Sequence, residues 1–207
     1  MCCRYFIKES DPDLMPIVDA ALKSPLIGRF AKVRPAPLIR YGEVKPTDLA
    51  AVIASDRQQK PAVFPMTWGF LVPGRSAPLI NARSETASEK QSFAESWKQH
   101  RCIIPASWYY EWQHLPSADG RSTVKTKYAI QPREPGATWL CGLYRLEDGV
   151  PVFVILTREP GESIDHIHDR MPLILPKRAI RDWVNPAVRP ADVLPYALVD
   201  MAAEKAE

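Results

Sequence analysis

Apolar residues fall in short bursts along this chain, each broken by proline, glycine or aspartate. Eight bursts read as strands: CRYFI (3–7), LAAVIAS (49–55), AVFPMTWGFLV (62–72), RCIIP (101–105), SWYYEW (107–112), VKTKYAI (124–130), TWLCGLY (138–144) and PVFVILT (151–157). They are rich in β-branched and aromatic residues, which suit a pleated surface. Helical spacing is rarer. It predicts a first helix over 14–22, with Pro16 in its first turn. A second starts at the capping box Thr86-Ala87-Ser88-Glu89 and sets Phe93 and Trp97 four apart on one face. A third follows Pro176 through Ala179, Ile180, Trp183 and Val184. Many strands with a few flanking helices predict an α+β domain around a curved, mostly antiparallel or mixed sheet. One domain over 1–201 is expected, with 202–207 as a frayed tail.

Composition sharpens this picture in two places. Proline accounts for 21 of 207 residues, about twice the usual ~5%. The prolines recur along nearly the whole chain, which favours short strands and many turns. Net charge is +3, which permits an anionic partner without requiring one. The four cysteines, at 2, 3, 102 and 141, lack the C-x-x-C spacing of zinc or redox sites. Arg4 and Lys8 interrupt the only apolar run near the start, so no secretory signal is expected. The run from Val150 to Leu156 is too short to span a bilayer. The expectation is a cytoplasmic monomer with free thiols, no cofactor and no membrane contact.

Three stretches carry polar residues where pattern alone would place apolar ones. In PLINARSETAS (78–88), Asn81 and Arg83 lie just ahead of the expected second helix. They read either as turn and surface residues or as an anion site at a helix start. In SWYYEWQ (107–113), Glu111 sits between Tyr110 and Trp112. A carboxyl packed among rings loses solvation, which favours its protonated form, and such a group serves as general acid and base. The alternative is a strand whose Tyr109 and Glu111 face water. In DHIHDRMPLIL (165–175), His166 and His168 alternate. On a strand both imidazoles would share one face, but no third ligand has metal spacing, so proton transfer or hydrogen bonding is the preferred role and no metal is expected.

Met1-Cys2, Asn81 to Thr86, Tyr110-Glu111-Trp112 and His168 to Pro172 occur in that order. This series resembles the motifs of the SOS response-associated peptidase (SRAP) family, over residues 2 to about 184. The resemblance implies a single α+β domain with a barrel-like core that senses abasic sites in single-stranded DNA. It implies a covalent DNA–protein crosslink through an N-terminal cysteine, and a self-removal of the residue ahead of it. Carried over by position, it assigns Cys2 as nucleophile, with Asn81, Glu111 and His168 as polar catalytic partners. Arg4, Arg83 and Arg170 would grip DNA or the opened sugar, and Trp112 and Thr157 would line the site. A nucleoid association when bound to DNA follows.

That role explains why a thiol stands at position 2. Once Met1 is gone, Cys2 carries an α-amine and a thiol on one residue, which together can trap an aldehyde as a thiazolidine. The chain departs from the family pattern in three places. Cys3 stands where glycine is common, Gly42 to Pro46 keeps a proline without the usual asparagine, and Pro73 to Ser76 lacks a pair of aromatics. Two rival readings compete: a thiol peptidase or amidase using Cys2, His168 and Glu111, and a non-covalent single-strand binding domain.

Overall fold

The computed structural model describes residues 2–117 and 122–206. In chain order the elements are β1 (Arg4–Ile7), α1 (Met15–Leu22), α2 (Leu26–Val33), β2 (Gly42–Val44), β3 (Leu49–Ser55), β4 (Pro61–Trp68), β5 (Asn81–Arg83) and α3 (Ala94–Gln99). There follow β6 (Arg101–Ala106), β7 (Trp108–Pro116), β8 (Thr123–Pro132), β9 (Thr138–Glu147), β10 (Val150–Arg158), β11 (Met171–Pro172), β12 (Ile174–Leu175), α4 (Ile180–Val184), α5 (Pro190–Val193) and β13 (Met201–Lys205). Among the described residues, no helix is long and apolar enough to cross a membrane.

Five strands close into a ring, β10-β4-β3-β6-β9 and back to β10. An odd ring cannot be antiparallel throughout, because strand direction must return to itself. The parallel pairing falls between β4 and β10, and the other four are antiparallel. The mixed, barrel-like sheet expected from the sequence is therefore the fold. β3, β6 and β10 are buried along almost their whole length and β9 along its first six residues, which explains why they read as apolar runs. A Cβ on Gly142 of β9 would lie 2.6 Å from the Val154 carbonyl oxygen, so this narrow ring needs glycine there.

Next to β10, β4 and β5 form one interrupted line. Trp68 pairs with Phe153, and Asn81 resumes the parallel pairing at Ile155. Between them the chain makes an excursion, pinched at its neck by the Phe70–Leu79 bridge. Gly69 turns the chain out at φ +123, where a Cβ would also meet Pro78 at 2.8 Å. The second sheet, β13-β8-β7-β1-β2, lies against the barrel. Tyr5 of β1 sits 5.5 Å from Trp68, which stacks on Phe153. The chain passes between the sheets at Ser107. Its hydroxyl donates to Asp11 and accepts from the Lys8 amide, and its carbonyl accepts from Thr138 Oγ1.

Several expectations need correction. The capping-box residues 86–89 lie in turns, and helix begins only at Ala94. The 62–72 run stops at Trp68 because Gly69 redirects it. Residues 202–205, expected to fray, pair along β8 as part of β13. The His166–His168 segment is turn rather than strand, and no metal-holding cluster exists among the described residues.

Arg101, at the start of β6, is 1% exposed and has no carboxylate partner among its hydrogen bonds. Its guanidinium donates to the carbonyls of Trp97, Lys98, Trp183, Asn185 and Val188, at 2.6–2.9 Å. The cation thus collects carbonyls at the ends of α3 and α4. Burial lowers its pKa to about 10, so it stays charged at neutral pH. Arg101→Met should lower stability by about 3 kcal/mol or more, since it strands these acceptors. Arg101→Lys should recover only part of that loss. Urea midpoints for the three chains check this.

Candidate functional site

Three strands and one loop bring the predicted residues together. β1 begins just after Cys2, β5 carries Asn81 beside β10, and β7 crosses β1 in antiparallel register with Arg4 opposite Tyr110. Alternation along β7 then decides which side chains enter the site. Tyr109 and Glu111 point inward, at 0% and 4% exposure, while Trp108 and Trp112 are half-exposed on the other face. The reading that placed Tyr109 and Glu111 in water is therefore overturned.

Cys2 is fully buried, and its carbonyl accepts a 2.8 Å hydrogen bond from Asn81 Nδ2. Asn81 Oδ1 is buried with no partner among the described residues, which leaves one acceptor beside the start of the chain. The Cys2 thiol donates to the Arg4 carbonyl at 3.6 Å. Burial first, then the Glu111 and Cys3 charges, push the Cys2 thiol well above its usual pKa. Cys3 is half-buried and its thiol is also raised, by burial and then Glu111. Tyr109 is raised by burial, then by Cys2 and Glu111. These mutual effects place Cys2, Tyr109 and Glu111 within one electrostatic neighbourhood.

Glu111 Oε1 lies 4.0 Å from His168 Nε2 and accepts from the Trp112 amide at 3.3 Å. On its other edge, His168 Nδ1 is 3.0 Å from the Arg170 amide and 2.7 Å from the Asp169 carboxylate. The amide contact needs an unprotonated Nδ1 and the carboxylate contact a protonated one. The ring therefore has a partner for either proton arrangement. Cys3, Arg4, Glu111, Trp112, Lys125 and His168 line a cleft of about 560 Å³. A second recess, of about 300 Å³, is lined by Asn81, Arg83 and Thr157, with Arg75 and Lys90 on the same wall. The Cys2 backbone links the two through its bond to Asn81 and its peptide to Cys3.

The three arginines expected to hold DNA are placed differently from one another. Arg83 is exposed on β5, away from the helix start the sequence suggested. Arg4 pairs with Glu43 and lies 5.7 Å from the Trp112 ring centroid. Arg170 forms a bidentate pair with Glu85 at 2.8–2.9 Å and donates to the Thr157 carbonyl at 2.8 Å, while its Nε is buried with no partner among the described residues. It clamps the loop after β5 to the loop carrying His168. Glu85 was not singled out from the sequence, and its charge beside a motif arginine was the available signal. Thr157 is fully buried, with its hydroxyl donating to the Ala82 carbonyl at 3.4 Å.

A family model described as SOS response associated peptidase (SRAP) matches residues 1–206. Abasic site processing protein YoqW of Bacillus subtilis (strain 168) is 35% identical over 153 residues, covering 67% of this chain and 66% of that protein. The match thus spans just under two thirds of that relative's length. Abasic site processing protein YedK of Escherichia coli (strain K12) is 29% identical over 196 residues, or 89% of this chain and 80% of its own. The fold is shared with the crystal structure of a phage-related protein from Bordetella bronchiseptica, at TM-score 0.70 and 24% identity, covering 100% of this chain and 94% of that one.

The thiol environments lead to a labelling prediction. At pH 7.5 a maleimide should modify Cys3 in the native protein, while Cys2, Cys102 and Cys141 react only after denaturation. Because the Glu111 charge opposes thiolate formation, Glu111→Gln should shift the pH midpoint of Cys3 labelling downward. Peptide mass mapping across a pH series reads both effects.

Proposed function

Because the chain belongs to the SRAP family, we propose that it recognises abasic sites in single-stranded DNA and crosslinks to them through Cys2 once Met1 is removed. The observation that carries this reading is the clustering just described. Asn81 holds the Cys2 carbonyl at 2.8 Å, beside a cleft whose wall is the Glu111–His168 pair. The relatives named as abasic site processing proteins supply the substrate class.

The chemistry follows from atoms available at Cys2. The freed α-amine, with a reference pKa of about 7.7–8.0, is substantially neutral near physiological pH. Its lone pair attacks the aldehyde carbon of the ring-opened sugar. The carbinolamine loses water to give an imine, and the thiol sulfur then adds to the imine carbon. The sulfur's proton ends on nitrogen, closing a five-membered thiazolidine. Tethering supplies a high effective concentration for this second bond. Asn81 Oδ1 is the acceptor available to orient the amine or a sugar hydroxyl. Glu111 and His168 move the protons needed for ring opening and water loss.

Removal of Met1, by the protein itself or by a housekeeping aminopeptidase that accepts a small residue at position two, precedes this chemistry. A general thiol peptidase is less well supported. Such enzymes work through a thiolate with a depressed pKa, whereas burial and Glu111 push the Cys2 thiol the other way.

Denaturing gels of the Met-processed protein with abasic and intact oligonucleotides test the reading. Wild type should give a heat-stable adduct with the abasic strand only, and Cys2→Ala none. Glu111→Gln and His168→Ala should slow adduct formation about 100-fold or more, with intact-strand binding unchanged. Efficient cleavage of added peptides without any DNA adduct would overturn the proposal. Binding should also fall steeply with salt, because arginine and lysine contacts to phosphate release counterions. Anisotropy titrations at several salt concentrations measure that slope.

A further inference from the structure

This inference rests on the preceding reading, in which a single strand occupies the reactive cleft, and concerns where that strand runs on leaving it. Tyr5, Tyr109 and Glu111 face the interior, so alternation puts Arg4, Phe6, Trp108, Tyr110 and Trp112 on the opposite face of the second sheet, where Tyr110 is itself buried and the other four are half-exposed. Register sets Arg4 against Tyr110, Phe6 against Trp108, and Trp112 against Lys127. The result is a continuous stripe of rings and cations. Phe6 and Trp108 stack with centroids 4.6 Å apart, and Tyr110 stands edge-on to both at 6.4 Å. Lys127 Nζ lies 4.1 Å from the Tyr110 ring centroid.

The stripe is joined to the cleft, because Arg4 and Trp112 line both. At its far end, Trp108 borders a recess of about 170 Å³ with Ala129, Gln131, Ala202 and Glu204. Charge on this face favours an anion. Arg4, Lys45, Lys125 and Lys127 stand against Glu43 and Glu204, and Glu43 is already paired with Arg4, Lys45 and Lys127. Trp108 Nε1 is buried with no acceptor among the described residues. Rings that accept stacked bases, interleaved with cations that meet phosphates, are how sheet surfaces hold single strands without reading sequence.

We propose that the Phe6, Trp108 and Trp112 rings, with Arg4 and Lys127 around the buried Tyr110, form a second contact surface for the single-stranded DNA that leaves the reactive cleft. It supplies the aromatic grip that the excursion at Pro73 to Ser76 lacks.

Anisotropy with labelled oligonucleotides tests this, using a short strand with a central abasic site and versions extended on the 5′ or the 3′ side. Denaturing gels follow the crosslink in the same samples. Wild type should bind one extended version about 10-fold more tightly than the short one. Trp108→Thr should lose that gain. Gln131→Glu, at an exposed position beside Trp108, should lose part of it and keeps the test open if Trp108→Thr does not fold. Both variants should crosslink the short strand at the wild-type rate. No length gain in wild type, or a gain untouched by both variants, overturns the stripe but leaves the cleft reading standing if the short strand still crosslinks. Failure of wild type to crosslink any abasic strand instead overturns the cleft reading. Dimerisation lost in Trp108→Thr, with DNA affinity unchanged, would assign the stripe to a second copy of the chain and overturn the proposal.

Discussion

A closed ring of five strands must contain a parallel pair, and the candidate site is built on the one this ring uses. β10 runs parallel to β4, and the same line continues into β5. That continuation delivers Asn81 beside Ile155 and Arg83 beside Thr157. Were β10 flanked by antiparallel neighbours alone, the chain would arrive at this edge from the opposite end, and the asparagine would be carried away from Cys2. The second sheet completes the arrangement through Ser107. With its polar atoms bonded to β1, to Asp11 and to Thr138, it fixes where β7 leaves the barrel and therefore where Glu111 arrives.

The electrostatics of the site favour one order of chemical events. A buried thiol near a carboxylate keeps its proton, so in the proposed reaction the sulfur is a poor first nucleophile and an α-amine exposed by processing would act ahead of it. On that proposal, neutral sulfur would need only to close a ring already held together by the imine. Arg170 contributes indirectly. By tying Glu85 to Thr157 it holds the loop that presents its own amide to His168, and so fixes the imidazole opposite Glu111.

Much of this was legible in the sequence, for physical reasons that differ by element. β3, β6 and β10 of the ring are covered on both sides, so burial wrote them as apolar runs that could hardly be missed. The four motifs were equally visible, because their residue types are costly to keep in a core without a use. β5 was not visible: three residues, Asn-Ala-Arg, become a strand only because β10 offers a parallel edge. β13 is a strand because β8 offers it an antiparallel edge. α2 was missed because Gly28 lies in its middle and a proline precedes it. The capping box at Thr86 satisfied local rules, yet turns hold residues 86–93 until Phe93 packs on Phe70. The inward direction of Glu111 was the decisive ambiguity, and only pairing with β1 resolved it.

The break between β4 and β5 has a consequence for how such a protein diversifies. The ladder along β10 passes from Trp68 to Asn81 as though the intervening residues were absent, and the Phe70–Leu79 bridge seals the gap. Changes of length or composition within 71–78 therefore leave the ring's hydrogen bonding intact and cost little closure entropy. The domain has, in effect, an interchangeable cassette: its tip can be rewritten while Asn81 and Arg83 behind it stay in register.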